Sequence, residues 1–162
     1  MLILSLSIRN LRTRGDGILK IIIGSDHAGF DLKEALKDSI SGMTDIGTYS
    51  NEPVDYPDFA SKVARAVSAG EFEKGILICG SGVGMSIVAN RFPGVRAALC
   101  TDTETARLSR MHNDANVLVL AGRRTDTETA LAIVTVWLNT EFEGGRHRKR
   151  LDKINTIEEE EL

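Results

Sequence analysis

The chain has 162 residues, 42% apolar and 27% charged, which fits one globular domain with a buried core and leaves little length for a second. Its formal net charge of -3 argues against nucleic acid or an anionic membrane as partner, because phosphate surfaces reward a basic protein. The two cysteines, Cys79 and Cys100, have neither CxxC nor Cys/His metal spacing, so a reducing cytoplasm is expected and no disulfide framework, metal or cofactor is.

In chain order, the opening MLILSLS is too short for a membrane span and lacks the ordered regions of a secretory signal. With LRTRGDG after it, residues 1-18 read as a frayed extension ahead of the domain. Strand-like apolar runs follow at 19-24, 75-79, 95-100 and 117-121, with a weaker one near 43-48. Continuous apolar runs suit parallel strands buried on both faces. Between them, Leu32, Ala35, Leu36 and Ile40 share one helical face, as do Phe59, Val63, Ala66 and Val67 after a helix-opening Pro57.

This β-α-β-α alternation predicts a three-layer α/β/α, Rossmann-like fold on a parallel sheet of about five strands joined by right-handed crossovers. The commonest order for such a sheet, 2-1-3-4-5, places the ends of strands 1 and 3 side by side at the topological switch, where these folds bind ligands. Asp26 and Cys79 fall at those two ends. TDTETA occurs at 101-106 and again at 125-130. Thr101 with Glu104, and Thr125 with Glu128, have capping-box spacing, so two helices needing the same start chemistry account for the repeat without duplication.

The most informative stretch is GILICGSGVGMS, Gly75 to Ser86, where a strand ends at Cys79 and Gly80, Gly82 and Gly84 alternate before a helical segment. Converging backbone N-H groups there can hold a phosphate or a developing oxyanion. No Lys-Ser/Thr follows, which excludes a P-loop, and the GxGxG spacing fits a dinucleotide fingerprint poorly. A helix N-terminus behind Cys79 favours its thiolate as base or nucleophile; by spacing alone an inert buried thiol fits equally well.

Asp26 and His27, in SDHAGF, close the first strand. Capping explains a lone Asp, but an acid and an imidazole opposite a glycine loop also suit proton handling. His112 and Asn113 end a helical pattern, where the dipole alone favours a histidine. In GGRHRKR, Arg146 and Arg150 are four apart and share a helical face able to grip one phosphate. Arg123, in LAGRR, is a third phosphate ligand or a plain surface arginine.

Taken together, SDHAGF, DIGTYSNEPVDYPDFA, ICGSGVGMSIVANRFPGVRAALC, HNDAN and FEGGRH resemble, in order, the ribose-5-phosphate isomerase B family. That family includes galactose 6-phosphate and allose 6-phosphate isomerases. The resemblance spans residues 19-157 as one isomerase domain, leaving 1-18 outside it and 158-162 as an acidic tail. It implies interconversion of ribose 5-phosphate and ribulose 5-phosphate, a pentose phosphate pathway step, through a cis-enediolate and without metal. By matching position, Cys79 would be the base, and Ser81 with the amides of Gly80, Gly82, Val83 and Gly84 would hold the enediolate oxygen.

The same matching gives His112 to ring opening, with Asp26 sharing proton handling. His27 and Asn113 would contact sugar hydroxyls or phosphate, and Arg123, Arg146 and Arg150 would hold the phosphate. Some members use instead a glutamate just after the glycine loop; Met85 and Ser86 stand there, which favours the cysteine. The family also implies a homodimer or homotetramer with sites at the subunit boundary. A six-carbon sugar phosphate isomerase and a non-catalytic sugar-phosphate-binding subunit are the alternatives.

Overall fold

The structure, a computed structural model, describes residues 6-7 and 17-161. Most of the expected extension therefore lies outside the described residues. Within it, Leu6–Ser7 (β1) pairs in parallel with Ile40–Ser41 (β3) as a small separate sheet.

The main sheet is built from Ile21–Ser25 (β2), Thr44–Asp45 (β4), Lys74–Cys79 (β5), Ala97–Leu99 (β6) and Val117–Ala121 (β7), all of its pairings parallel. Continuous apolar runs form it because both faces are covered. Ile21, Ile23, Ile76, Ile78, Leu118 and Leu120 face one core, and Ile22, Leu77, Cys79, Val117 and Val119 the other. That alternation is the two-residue period of a pleated strand.

Phe30–Ser39 (α1), Thr103–Asn113 (α4) and Thr127–Asn139 (α5) cover the first face through Leu36, Ala106 and Trp137. Tyr56–Ser68 (α2) and Val83–Ala89 (α3) cover the second through Val63 and Met85. The three-layer expectation holds. Arg146–Glu160 (α6) packs against α4 and carries the chain's acidic end as helix.

The strand order differs from the commonest one. It runs β4-β2-β5-β7-β6, so the last two strands are exchanged: the chain crosses from β5 to the far edge at β6, then returns to insert β7 beside β5. The most apolar run, VLVLA, thereby takes the interior place, while β6 at the rim is only half-buried. The site depends on this exchange, because it brings Arg123 rather than the Cys100 end of β6 next to Cys79.

The repeated TDTETA starts α4 and α5, but not by a Thr/Glu capping box. The caps are Asp102 and Asp126, whose carboxylates accept from the Thr105 and Thr129 backbone N-H groups at 2.7 and 2.9 Å and from the same threonines' hydroxyls at 3.0 and 2.8 Å. A carboxylate reaches both donors and meets the positive helix end, which a threonine hydroxyl cannot match.

Lys74 opens β5 while buried beneath the rest of the chain. Burial first, then repulsion from Arg110, pulls its pKa down to about 7, against the opposing pull of Asp114 and Glu141. Its ammonium lies 4.9 Å from the Trp137 ring centroid, a contact that favours the charged form. Between the folded value and the ordinary lysine value the unfolded chain binds a proton that the folded chain does not, so stability rises with pH across that window. Urea unfolding from about pH 7 to about pH 9 should show a gain of up to a few kcal/mol. Lys74→Met should be more stable near neutrality and lack most of that rise; an equal rise in the variant would assign it to other groups.

Candidate active site

Three strand ends are tied together at the carboxyl edge of the sheet by backbone bonds. The Asp26 N-H donates to the Ile78 carbonyl (3.2 Å), the Gly122 N-H to that of Cys79 (2.7 Å) and the Arg123 N-H to that of Gly80 (3.1 Å). Gly29 permits this closeness, since a Cβ there would meet the Ile78 carbonyl. The result is one cavity of about 630 Å³ lined by Asp26, His27, Cys79, Gly80, Ser81, Gly84 and Arg123.

Cys79 is buried at its wall, and its Sγ accepts the Gly82 N-H at 3.2 Å. Gly82 turns left-handed (φ 77°) to begin α3, a conformation that suits glycine. The helix behind the loop is short, seven residues, so this single N-H, rather than a long helix dipole, is the local donor to sulfur. Ser81 Oγ accepts the Val83 N-H at 3.3 Å. The amides of Gly82 and Val83, expected to face an enediolate, are thus engaged by Cys79 and Ser81.

Cys100 makes the contrast. It is fully buried at the end of β6, and burial pushes its thiol up to about 11.

Asp26 has the plain capping role as well as a place on the cavity: its Oδ1 accepts the Gly29 N-H at 3.0 Å. His27 Nδ1 lies 3.2 Å from both the N and O of Val54, which orients the ring and leaves Nε2 for a ligand. Besides Ala28, two lining residues with polar groups lie outside the expected set. Tyr56 packs over Gly84, where a Cβ would come within 2.6 Å of its ring, and Arg124 adds a second guanidinium beside Arg123. Only Tyr56 carried a signal, one residue ahead of Pro57 in the matched stretch; Arg124 reads as an ordinary exposed arginine.

His112, Asn113, Arg146 and Arg150 do not line this cavity. His112 and Asn113 end α4, which runs back from β6 to the start of β7. They lie at the amino-terminal edge of the sheet, about one strand length, roughly 15 Å, from the edge that carries Cys79. Arg146 and Arg150 are exposed on the first turns of the adjoining α6. The two helix ends meet where the His112 and His147 rings stack, centroids 4.3 Å apart. Burial, then His112 and Arg146, holds His147 below the ordinary histidine range, with Glu143 pulling the other way.

A cysteine-bearing glycine loop at the switch point of an open parallel sheet, flanked by guanidinium groups, defines an α/β enzyme for a small anionic substrate. Residues 21–154 match the model of the family described as Ribose/Galactose Isomerase, and the chain belongs to that family. It is an isomerase. It is 48% identical over 144 residues to ribose-5-phosphate isomerase B of Escherichia coli, covering 86% of this chain and 97% of that protein. The solved ribose-5-phosphate isomerase B of Clostridium thermocellum superposes with a TM-score of 0.86 at 51% identity, over 89% of this chain and all of that one. The Mycoplasma genitalium enzyme with bound ribulose-5-phosphate superposes at 0.83 with 42% identity, over 88% and 97%.

Gly82→Ala should damage stability and chemistry together, because the added Cβ would meet Leu99 in a left-handed turn. A loss of about 1–3 kcal/mol in denaturant unfolding is expected, with a larger proportional fall in kcat than in the folded fraction. A variant with wild-type kcat would mean that the turn does not position Cys79.

Proposed function

We propose that this enzyme interconverts ribose 5-phosphate and ribulose 5-phosphate, a step of the pentose phosphate pathway, using Cys79 as the base. The observation that carries the reading is Cys79 Sγ at the wall of a cavity shared with Asp26, Ser81 and Arg123. The ligand-bound Mycoplasma genitalium relative supports the substrate class.

On the open-chain aldose, the Cys79 thiolate removes the C2 proton and the electron pair moves through C1 onto O1, giving a cis-enediolate. Ser81 Oγ and the Gly80 N-H stabilise the oxygen charge. Asp26 moves the hydroxyl proton from O2 to O1, and the thiol returns its proton to C1, which completes the ketose. Anchoring the phosphate remotely from the reacting carbons supplies the binding energy for orientation. Arg123 gives this chain's contribution to that anchor.

We infer further that the site is completed by a second copy of the chain, which brings His112 and Asn113 to the substrate, with Arg146 and Arg150 on the phosphate. These groups stand at the opposite sheet edge from Cys79, too far to act within one chain. Exposed apolar residues accompany both halves: Val83 and Ile87 beside the glycine loop, Ile154 and Ile157 on α6. Burying such patches between copies would favour a homodimer. The two cysteines are free and no helix among the described residues is long and apolar enough to cross a membrane; both features fit an enzyme of the reducing cytoplasm.

Two variants separate a shared site from a self-contained one. Cys79→Ala and His112→Asn should each lose almost all turnover of ribose 5-phosphate as homo-oligomers. Co-expressed in equal amounts, they should recover about a quarter of wild-type activity, because random assortment in a two-fold dimer leaves that share of sites with both groups. No recovery from soluble mixed oligomers would place Cys79 and His112 in the service of one chain.

A further inference from the structure

His112, Glu143 and His147 form a cluster that the isomerase chemistry does not use as a unit. Glu143 Oε2 lies 4.0 Å from His112 Nε2 and 3.5 Å from His147 Nε2, and one donor atom from each residue falls within 4.8 Å of the others. Two elements build it: His112 in the last turn of α4, and the Gly144-Gly145 turn into α6, which brings Glu143 back beside His147, four residues on. The Glu143 N-H donates to the Met111 carbonyl at 3.0 Å, which fixes this segment against the end of α4.

We propose that His112, Glu143 and His147 bind a divalent transition metal ion of the zinc type and that its binding inhibits the enzyme. Two imidazoles and a carboxylate are a donor set that zinc accepts, with a fourth position left to water. Around a tetrahedral ion with Zn-N bonds of about 2.0–2.1 Å the donors stand about 3.3 Å apart. The stacked rings, 13° from parallel, cannot aim both Nε2 lone pairs at one ion, so binding requires His112 to turn out of the stack. His147 is held by burial, whereas His112 and Glu143 are partly exposed and free to make that movement, and solvent can deliver the ion.

The surroundings select the metal. Arg146 and Arg150 on α6 place positive charge beside His147, Arg107 on α4 is already paired with Glu104 at 2.6 Å, and Glu143 is the one negative ligand of the cluster. A dication held mainly by charge, such as magnesium or calcium, is disfavoured there. Zinc, nickel and copper gain enough from imidazole to bind. Inhibition, unlike binding, rests on the assignment of His112 to the reaction: a ring whose Nε2 is on a metal cannot exchange a proton with the sugar.

The test is calorimetric titration of chelator-treated full-length protein with Zn²⁺, followed by Co²⁺ absorption to report coordination. One ion per chain is expected. Removing a direct ligand should cost at least the about tenfold that loss of a supporting residue costs elsewhere, so Glu143→Gln and His147→Gln should weaken binding by more than that. Cys79→Ala should bind as the wild type does, which separates this cluster from a thiolate site. Glu143→Gln, a partly exposed position, keeps the test meaningful should His147→Gln fail to fold. It should also turn over ribose 5-phosphate normally while resisting zinc. Unchanged affinity in Glu143→Gln, or binding lost only with Cys79, would overturn the site. Full turnover with the site saturated would overturn the inhibition, and an inactive metal-free wild type would instead contradict the isomerase reading.

Discussion

The parallel register of β2, β5 and β7 is the constraint on which the rest depends. Pairing Ser25 with Ile78, and Cys79 with Ala121, brings three strand ends to one level. The loops leaving them then bond to one another through Asp26, Gly122 and Arg123. A one-residue slip would exchange the two faces of the strand. In β5 it would turn Cys79 from the α2/α3 side to the opposite core and dismantle the site without changing any site residue.

Burial divides the chemistry of the chain. Both thiols are buried, but Cys79 lies on the cavity and receives a backbone N-H from the turn behind it, while Cys100 lies in the interior away from the cavity, where burial outweighs the Ser109 hydroxyl and disfavours its charge. The histidines divide similarly. His27 is oriented by the Val54 backbone at the cavity, whereas His112 and His147 lean on each other at the far edge of the sheet. A single chain therefore holds the two sets of groups at opposite edges of its sheet, and the exposed apolar residues beside each are the surface that the proposed dimer would bury.

The strands were legible because parallel strands in a covered sheet must be apolar throughout, and VLVLA and GILIC declare that directly. Their lateral order was not, because the crossover lengths admit both β7 and β6 beside β5 and no local residue distinguishes them. The caps show the limits of a spacing rule: Thr101 and Glu104 match a pattern, but Asp102 is the better acceptor one residue later. Asp26, His27, Cys79, Ser81 and Arg123 were readable from their places at strand ends. Arg124 was not, since its approach to the cavity follows from the strand exchange, and Tyr56 showed only its place beside Pro57, its position over the cavity following from packing against Gly84. The separation of His112 from Cys79 follows from helix direction, which becomes an argument only once β6 and β7 are placed.

The central claim is that proton transfer through an enediolate, with Cys79 as the base, performs the isomerisation. Its most direct measurement is the incorporation of solvent deuterium into the sugar during turnover of ribose 5-phosphate in D₂O, followed by proton NMR. The account predicts deuterium at C1 of the ribulose 5-phosphate formed and at C2 of the aldose at equilibrium, with neither appearing when Cys79→Ala replaces the wild type. Isomerisation in which Cys79→Ala exchanges as fast as the wild type would contradict it.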